Sequence, residues 1–287
     1  MSSITGKTRV CGIIGDPIEH SMSPVMHNAA FEALGLDYAY LPFRVRREEL
    51  PEAIAGIRAL NLVGLNVTLP HKVDVIPLLD RLDTLAERMG AVNTIVNDNG
   101  VLVGYNTDAP GFLQALLSKG IEPEGRKIVI LGAGGAAKGI SFILAEAGAK
   151  LVILNRTISR AEELASQIAQ FYRQNLKAMA LNEENLSKTL GGADVLVNTT
   201  SVGMVPGVDQ TPVPAKLLKS DMTVFDIVYN PLETRLLREA KAAGARTIDG
   251  LDMLVWQGVL AFGKFTGQKA PFEIMKGAAT KALVHEK

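Results

Sequence analysis

Lys127-Ile128-Val129-Ile130-Leu131-Gly132-Ala133-Gly134-Gly135-Ala136-Ala137 decides the fold. Its apolar run reads as a buried strand of a parallel sheet, because nothing in 128–131 alternates with polar residues. Gly132 permits a tight turn, Gly134 lets the backbone approach a pyrophosphate, and Ala137 stands where a third glycine would meet the strand. A helix opening here aims free N–H groups at phosphate, with Ala133, Gly135 and Ala136 completing the loop. Glycine-rich turns also arise for packing reasons, so the context has to decide. Working outward, a helix is expected over 139–147, a strand over 150–154, a helix over 159–170 and a strand over 194–198, which is βαβαβ, one mononucleotide-binding half. At the end of the second strand, where an NAD site carries an acid for the ribose hydroxyls, the chain has Asn155, Arg156 and Thr157, then Arg160. Guanidinium groups suit a phosphate ester, so the expected cofactor is NADP.

The bulk numbers agree with a small-molecule ligand. The chain has 287 residues, enough for two domains with separate cores, and is 47% hydrophobic and 21% charged. Thirty basic and 30 acidic side chains give a formal net charge of +0 without long single-sign blocks, which argues against nucleic acid or an anionic membrane as the main partner. The single cysteine, Cys11, excludes an intramolecular disulfide framework, fits a cytoplasmic protein and reads as strand filler. The stretch 1–8 lacks the apolar core of a leader, and no apolar run reaches a membrane span. His20, His27, His71 and His285 lack zinc-site spacing, so no metal is expected. Neither a Gly-x-Ser-x-Gly elbow nor a P-loop lysine occurs.

The first hundred residues form a second α/β pattern: strands over 10–14, 39–45 and 64–67, helices over 23–34, 48–60 and 84–89, and short strands over 91–97 and 101–104 about the hairpin turn Asp98-Asn99-Gly100. The crossing between domains is expected near Asn106-Thr107-Asp108. A helix over 111–118 then leads to the fingerprint strand. Later come a strand over 223–228, a helix over 233–243, a strand over 246–248, and helices over 251–262 and 271–283 that return to the first domain. The expected division is a first domain of 1–107, with 251–287 packed back on it, and a nucleotide domain of 108–250.

Polar residues cluster where first-domain strands end, the place where open α/β sheets bind ligands. In His20-Ser21-Met22-Ser23-Pro24, Ser23 can cap a helix opened by Pro24, and the Ser21 and Ser23 hydroxyls can bind a carboxylate; capping and anion binding both stay open. In Asn66-Val67-Thr68-Leu69-Pro70-His71-Lys72, polar strand-end residues precede a proline turn and a lysine that opens a helix; its ammonium is the sole proton donor of the three clusters, although most lysines are surface charges. The third cluster is Asn93-Thr94 with Tyr105-Asn106-Thr107-Asp108, where Asp108 reads either as a helix cap or as a carboxylate orienting an acid.

These segments, together with Gly90-Ala91-Val92-Asn93-Thr94, Asn198-Thr199-Thr200-Ser201-Val202-Gly203-Met204, Asp226-Ile227-Val228-Tyr229-Asn230-Pro231 and Trp256-Gln257, resemble the motifs of the shikimate dehydrogenase family in its order and over nearly the whole chain. The resemblance implies an N-terminal α/β substrate domain, a Rossmann-like NADP domain and a cleft between them. It implies reversible NADPH-dependent reduction of 3-dehydroshikimate to shikimate, on the way to chorismate and the aromatic amino acids. Lys72 takes the catalytic lysine position and Asp108 its partner. Ser21, Ser23 and Tyr229 would bind the substrate carboxylate, and Asn66, Thr68, Asn93 and Gln257 its ring hydroxyls. The glycine loop would hold the pyrophosphate, Asn155, Arg156, Thr157 and Arg160 the 2′-phosphate, and Ile227, Gly250 and Met204 the nicotinamide side. The family includes monomers and homodimers. A quinate/shikimate dehydrogenase of dual specificity is the nearest alternative, opposed by Asn155-Arg156-Thr157 and by Ser23. A nucleotide-sensing regulator without turnover is more remote, since it would be expected to lose Lys72 or Asp108.

Overall fold

A computed structural model describes residues 4–172 and 176–285. Residues 1–3 of the stretch expected to carry no leader, and the side chain of His285, lie outside the described residues. The chain divides into two units, Met1–Gly111 with Val255–Lys287, and Phe112–Leu254.

The first unit is built from β1 (Arg9–Gly15), α1 (Ser23–Ala33), β2 (Tyr38–Arg44), α2 (Leu50–Ala59), β3 (Gly64–Val67), β4 (Arg81–Leu82), α3 (Thr84–Met89), β5 (Thr94–Asp98) and β6 (Val101–Tyr105). The helix α4 (Asp108–Leu117) leaves it. Its sheet has the order β2-β1-β3-β5-β6-β4, with β1 parallel to β2 and β3, and β5 antiparallel to both β3 and β6. Asn99 and Gly100 take φ of 52° and 93°, the two successive positive values that the β5–β6 hairpin turn demands. Ile14, Leu65, Val67, Ile95 and Leu102 of this sheet pack with Ile54 and Ile57 of α2 in one core. Cys11 is fully buried in β1, where burial pushes its thiol above the ordinary range and keeps it inert.

The second unit contains β7 (Lys127–Leu131), α5 (Gly135–Glu146), β8 (Lys150–Asn155), α6 (Ile158–Phe171), β9 (Lys177–Ala180), α7 (Glu183–Leu190), β10 (Val195–Asn198), β11 (Thr223–Asp226), α8 (Arg235–Ala242) and β12 (Arg246–Ile248). Every pairing is parallel, in the order β12-β11-β10-β7-β8-β9. Renumbered from β7, that is 3-2-1-4-5-6 read from the β9 edge, the doubly wound dinucleotide-binding order with its switch point between β7 and β10. Residues 128–131 are wholly buried, as a central parallel strand covered on both faces must be. The helices α9 (Gly250–Thr266) and α10 (Phe272–His285) close the chain. α10 packs on α1, and Phe262 of α9 stacks beside His27 and Phe31 of α1. The chain passes between units inside α4 and inside α9, a few residues beyond the expected 107/108 and 250/251 boundaries. Among the described residues no helix is long and apolar enough to cross a membrane.

Several expectations change. The βαβαβ half is completed by β9, not by the strand at 194–198; that strand is β10 and starts the second half. The strand β9 and the helix α7 escape a pattern reading because Lys-Ala-Met-Ala is a short, half-exposed edge strand without strong alternation. The helix after the fingerprint begins at Gly135 rather than 139, α4 begins at Asp108 rather than 111, and β5 begins at Thr94. Lys72 lies in a run of turns and opens no helix.

Candidate active site

In the first sheet, antiparallel register sets Asn66 of β3 opposite Thr94 of β5, and Thr94 opposite Tyr105 of β6. One end of the sheet therefore gathers the exit of β3, the entry to β5 and the exit of β6, bringing Asn66, Thr68, Asn93 and Asp108 together. Lys72 arrives by the turn after β3. That turn is anchored by His71, wholly buried, whose Nε2–H donates to the Val45 carbonyl at 2.7 Å, and by Val92 N–H donating to the Lys72 carbonyl at 2.8 Å. His71 is thus a structural anchor for the lysine.

Lys72 Nζ donates to Asp108 Oδ2 at 2.7 Å, with both side chains a little over one quarter exposed. Asp108 Oδ1 accepts from Asn93 Nδ2 at 2.8 Å. Asp108 does not cap α4: Asn106 Oδ1 accepts from Asp108 N at 3.0 Å and from Ala109 N at 3.4 Å, so Asn106 caps and the carboxylate is left for the lysine. The carboxylate also sits in the first turn of α4, where the helix dipole favours its charge. A paired ammonium and carboxylate, each reaching solvent, can hold and pass one proton.

The two asparagines are committed inward. Asn93 Nδ2 serves Thr107 Oγ1 and Asp108, and its Oδ1 accepts from Thr107 N at 2.7 Å and Thr94 Oγ1 at 3.0 Å. Its hydrogen-bonding capacity is filled by the protein, which makes it an orienter of Asp108. Asn66 donates to the Asn93 carbonyl and Thr94 Oγ1, and accepts from the Tyr40 hydroxyl at 2.6 Å, leaving only acceptor capacity on Oδ1. Thr94, Asn106 and Thr107 were visible in the sequence only as members of a polar cluster, and Tyr40 carried no signal, since a tyrosine in an apolar run reads as core.

Neither serine caps α1 in the expected way. Met22 occupies the N-cap without a side-chain bond, Ser23 is the first helical residue, and Ser21 Oγ accepts from Ser23 N at 3.3 Å. Ser23 is buried and Ser21 half-buried. Gln257 is buried on α9, its backbone against Gly111 one turn along α4 from Asp108. A Cβ on Gly111 would lie 2.7 Å from Gln257 N. Gly111→Ala should therefore cost about 3 kcal/mol and lower Tm by roughly 5 °C or more. An unchanged melting curve by circular dichroism would contradict this packing.

In the second unit, Gly132 has φ +112°, and a Cβ there would lie 2.6 Å from Thr199 Oγ1, so only glycine makes this turn at the switch point. Gly134 and Gly135 face open space, with nothing within 4 Å of an added Cβ, while Ala137 is wholly buried against the sheet. Gly134 caps α5 without a side chain, so the first-turn N–H groups meet no side-chain acceptor. These features fit a pyrophosphate. Asn155 Nδ2 donates to the Thr157 carbonyl at 2.9 Å and shapes the turn after β8, and Arg156, Thr157 and Arg160 are exposed there. Among the described residues neither arginine has an ion-pair partner. Ile227 and Tyr229 follow β11, Met204 lies on the loop after β10, and Gly250 opens α9 with its Cα beside the Ile227 carbonyl: a Cβ would stand 2.2 Å from that oxygen.

Asp226, wholly buried at the end of β11, has its carboxyl pushed up to about 6 by burial, against hydrogen bonds from Thr234, Val228 N and Asn198 that act the other way. The folded value lies above the 3.8 of a free aspartate, so the fold favours the protonated form. That stabilisation is full below the free value and lost as pH rises through about 6. The urea midpoint of the wild type should therefore fall relative to that of Asp226→Asn from about pH 4 to about pH 7, a change on the order of 3 kcal/mol. A difference independent of pH would contradict it.

Family models match in succession a shikimate dehydrogenase substrate binding domain at residues 13–95, a shikimate/quinate 5-dehydrogenase domain at 115–251 and a shikimate 5′-dehydrogenase C-terminal domain at 250–280. The NADP(+) shikimate dehydrogenase of Carboxydothermus hydrogenoformans is 49% identical over 276 residues, 96% of this chain and 98% of that one. The chain belongs to the shikimate dehydrogenase family. A crystal structure of a shikimate dehydrogenase in complex with NADP+ superposes with a TM-score of 0.92 at 43% identity, covering 98% of each chain. The shikimate 5-dehydrogenase of Listeria monocytogenes, in complex with shikimate and NAD, has a TM-score of 0.92 at 41% identity, covering 96% of this chain and 98% of that one. Family membership over nearly the whole chain matches the two-sheet α/β architecture.

Proposed function

We propose that the chain catalyses the reversible NADPH-dependent reduction of 3-dehydroshikimate to shikimate, with Lys72 and Asp108 as the catalytic pair. The observation that carries this reading is the Lys72 Nζ to Asp108 Oδ2 contact of 2.7 Å, set at the strand ends of a family member. When bound, NADPH supplies the hydride. Lys72 polarises the ketone and donates a proton to the developing alkoxide; in the reverse direction its amine accepts that proton. Asp108 hydrogen-bonds the lysine and the reacting hydroxyl, and Asn93 holds the carboxylate in place. Ser21 and Ser23, with Tyr229, are the hydroxyls for the substrate carboxylate. Asn66, Thr68 and Gln257 take the ring hydroxyls, Asn66 as an acceptor. A pocket that pairs with several hydroxyls rejects analogues lacking them, because its own polar groups are left unpaired.

Gly132, Ala133, Gly134, Gly135 and Ala136 take the pyrophosphate of NADP. Asn155, Arg156, Thr157 and Arg160 take its 2′-phosphate, and Ile227 and Gly250 its nicotinamide end. The same reading makes the protein a cytoplasmic enzyme of aromatic amino acid biosynthesis, working as a monomer or homodimer. The intact Lys72–Asp108 pair weighs against the non-catalytic regulator.

The test is nicotinamide absorbance with purified protein, offering shikimate or quinate against NADP+ or NAD+. Turnover fastest with shikimate and NADP+ supports the reading. Comparable quinate turnover moves the chain to the dual-specificity class, and silence in all four assays refutes it.

A further inference from the structure

The reaction as proposed leaves unused a buried polar cluster at the ends of β10 and β11. Asn198, Asp226 and Thr234 are each wholly buried. Three donors from separate segments converge on the Asp226 carboxylate: Asn198 Nδ2 at 2.9 Å and Val228 N at 3.1 Å on Oδ1, and Thr234 Oγ1 at 2.7 Å on Oδ2. The two side-chain donors each tie down something else. Asn198 Oδ1 accepts from Thr200 N at 3.1 Å and Thr200 Oγ1 at 2.7 Å, and its Nδ2 reaches the Val202 carbonyl at 3.3 Å, so the loop after β10 is held through this side chain. Thr234 caps α8, accepting from Leu237 N at 3.3 Å. Ile227 N–H donates to the Asn198 carbonyl at 3.1 Å, and Val205 N–H to the Asn230 carbonyl at 3.2 Å, joining the two loops along their backbones. Gly250 is pressed against the Ile227 carbonyl.

Ionised, this carboxylate takes two N–H groups on Oδ1 and a hydroxyl on Oδ2; an amide in its place keeps the first two but sets its NH2 against a Thr234 hydroxyl that already accepts from Leu237 N. Burying a carboxylate without a cation is costly, and here its partners are all hydrogen-bond donors in loops flanking Met204, Ile227 and Gly250. The arrangement serves those loops more than it serves stability.

We infer that Asp226, with Asn198 and Thr234, is a positioning residue that fixes the loops bearing Met204, Ile227 and Gly250 for the nicotinamide end of NADP(H). The inference rests on the cofactor reading above. It predicts damage confined to one half of the dinucleotide. The adenosine half is served by the glycine loop and Arg156, neither of which hydrogen-bonds the side chains of Asn198, Asp226 or Thr234.

The experiment measures binding of NADPH by its fluorescence, and of adenosine 2′,5′-bisphosphate by calorimetry, to full-length wild type, Asp226→Asn, Thr234→Val and Thr234→Ser. Asp226→Asn and Thr234→Val should each weaken NADPH about tenfold, leave the bisphosphate within twofold, and raise KM for NADP+ without raising KM for shikimate. Thr234→Ser, which keeps the hydroxyl, should restore NADPH affinity, and the threonine pair keeps the test open should Asp226→Asn fail to fold. Equal NADPH affinity in wild type and Thr234→Val overturns the inference alone, as does a parallel loss of both ligands. A wild type that binds the bisphosphate and NADPH no better than background overturns the cofactor reading and the inference with it.

Discussion

Replacing Lys72 with alanine should lower kcat by roughly three orders of magnitude, while KM for shikimate stays within a few-fold. Among the described residues the ammonium is the cation held against Asp108, and the lysine is fixed at both ends: by the 2.7 Å contact to Oδ2 and by a backbone bonded to Val92. Removing it takes away both the positive charge that stabilises an oxyanion and the proton that quenches it, and these interactions are made only as the carbonyl is reduced. Substrate carboxylate and ring hydroxyls keep their partners, so ground-state binding changes little. Steady-state kinetics of the variant, with circular dichroism to show that it folds, gives the answer. A kcat near the wild-type value would remove Lys72 from the chemistry, and a rise in KM alone would make it a binding residue.

Arg156→Asp should lower kcat/KM for NADPH by roughly 10²-fold and raise it for NADH, inverting or erasing the cofactor preference. Arg156 is exposed on the turn after β8 and has no ion-pair partner among the described residues, so its loss leaves no buried group unpaired. The new carboxylate would repel the dianionic 2′-phosphate and accept from the free ribose hydroxyls of NADH. Arg160 remains one turn on, which keeps the loss with NADPH from being complete. The comparison needs kcat/KM for both cofactors at one ionic strength, since exposed charge effects are screened by salt. Unchanged selectivity would move the 2′-phosphate away from Arg156.

The legible parts of this fold are those in which one local pattern suffices. Four apolar residues followed by Gly132 announce the central strand of a parallel sheet, and Asn99-Gly100 announces a hairpin whatever surrounds it. β9 could not be read this way: an edge strand is buried on one side only, and Lys-Ala-Met-Ala has too few apolar residues to show a period. The start of α4 was misplaced because a polar residue outside the helix does the capping. Asn106 takes that role for α4, so of the two readings that the sequence leaves open for Asp108, cap or orienting carboxylate, the cap falls away and the side chain bonds Lys72.

The candidate site was partly legible because strand-end polar residues are unusual in apolar runs, as at Asn66 and Asn93. What each side chain does there depends on register. The pairing of Asn66 with Thr94 and of Thr94 with Tyr105 spans nearly forty residues of chain, and only the folded sheet shows that it saturates Asn93 and aims it at Asp108. Asp226 was illegible for the same reason, since its three donors come from β10, the loop after β11 and the cap of α8.

The hydride that reduces the ketone of 3-dehydroshikimate comes from NADPH. The most direct test is to run the reduction with NADPH carrying deuterium on the transferred position and to examine the isolated product by mass spectrometry and NMR. The expected product is shikimate with one deuterium on the carbon of the newly formed hydroxyl. Unlabelled shikimate, or none at all, would contradict it.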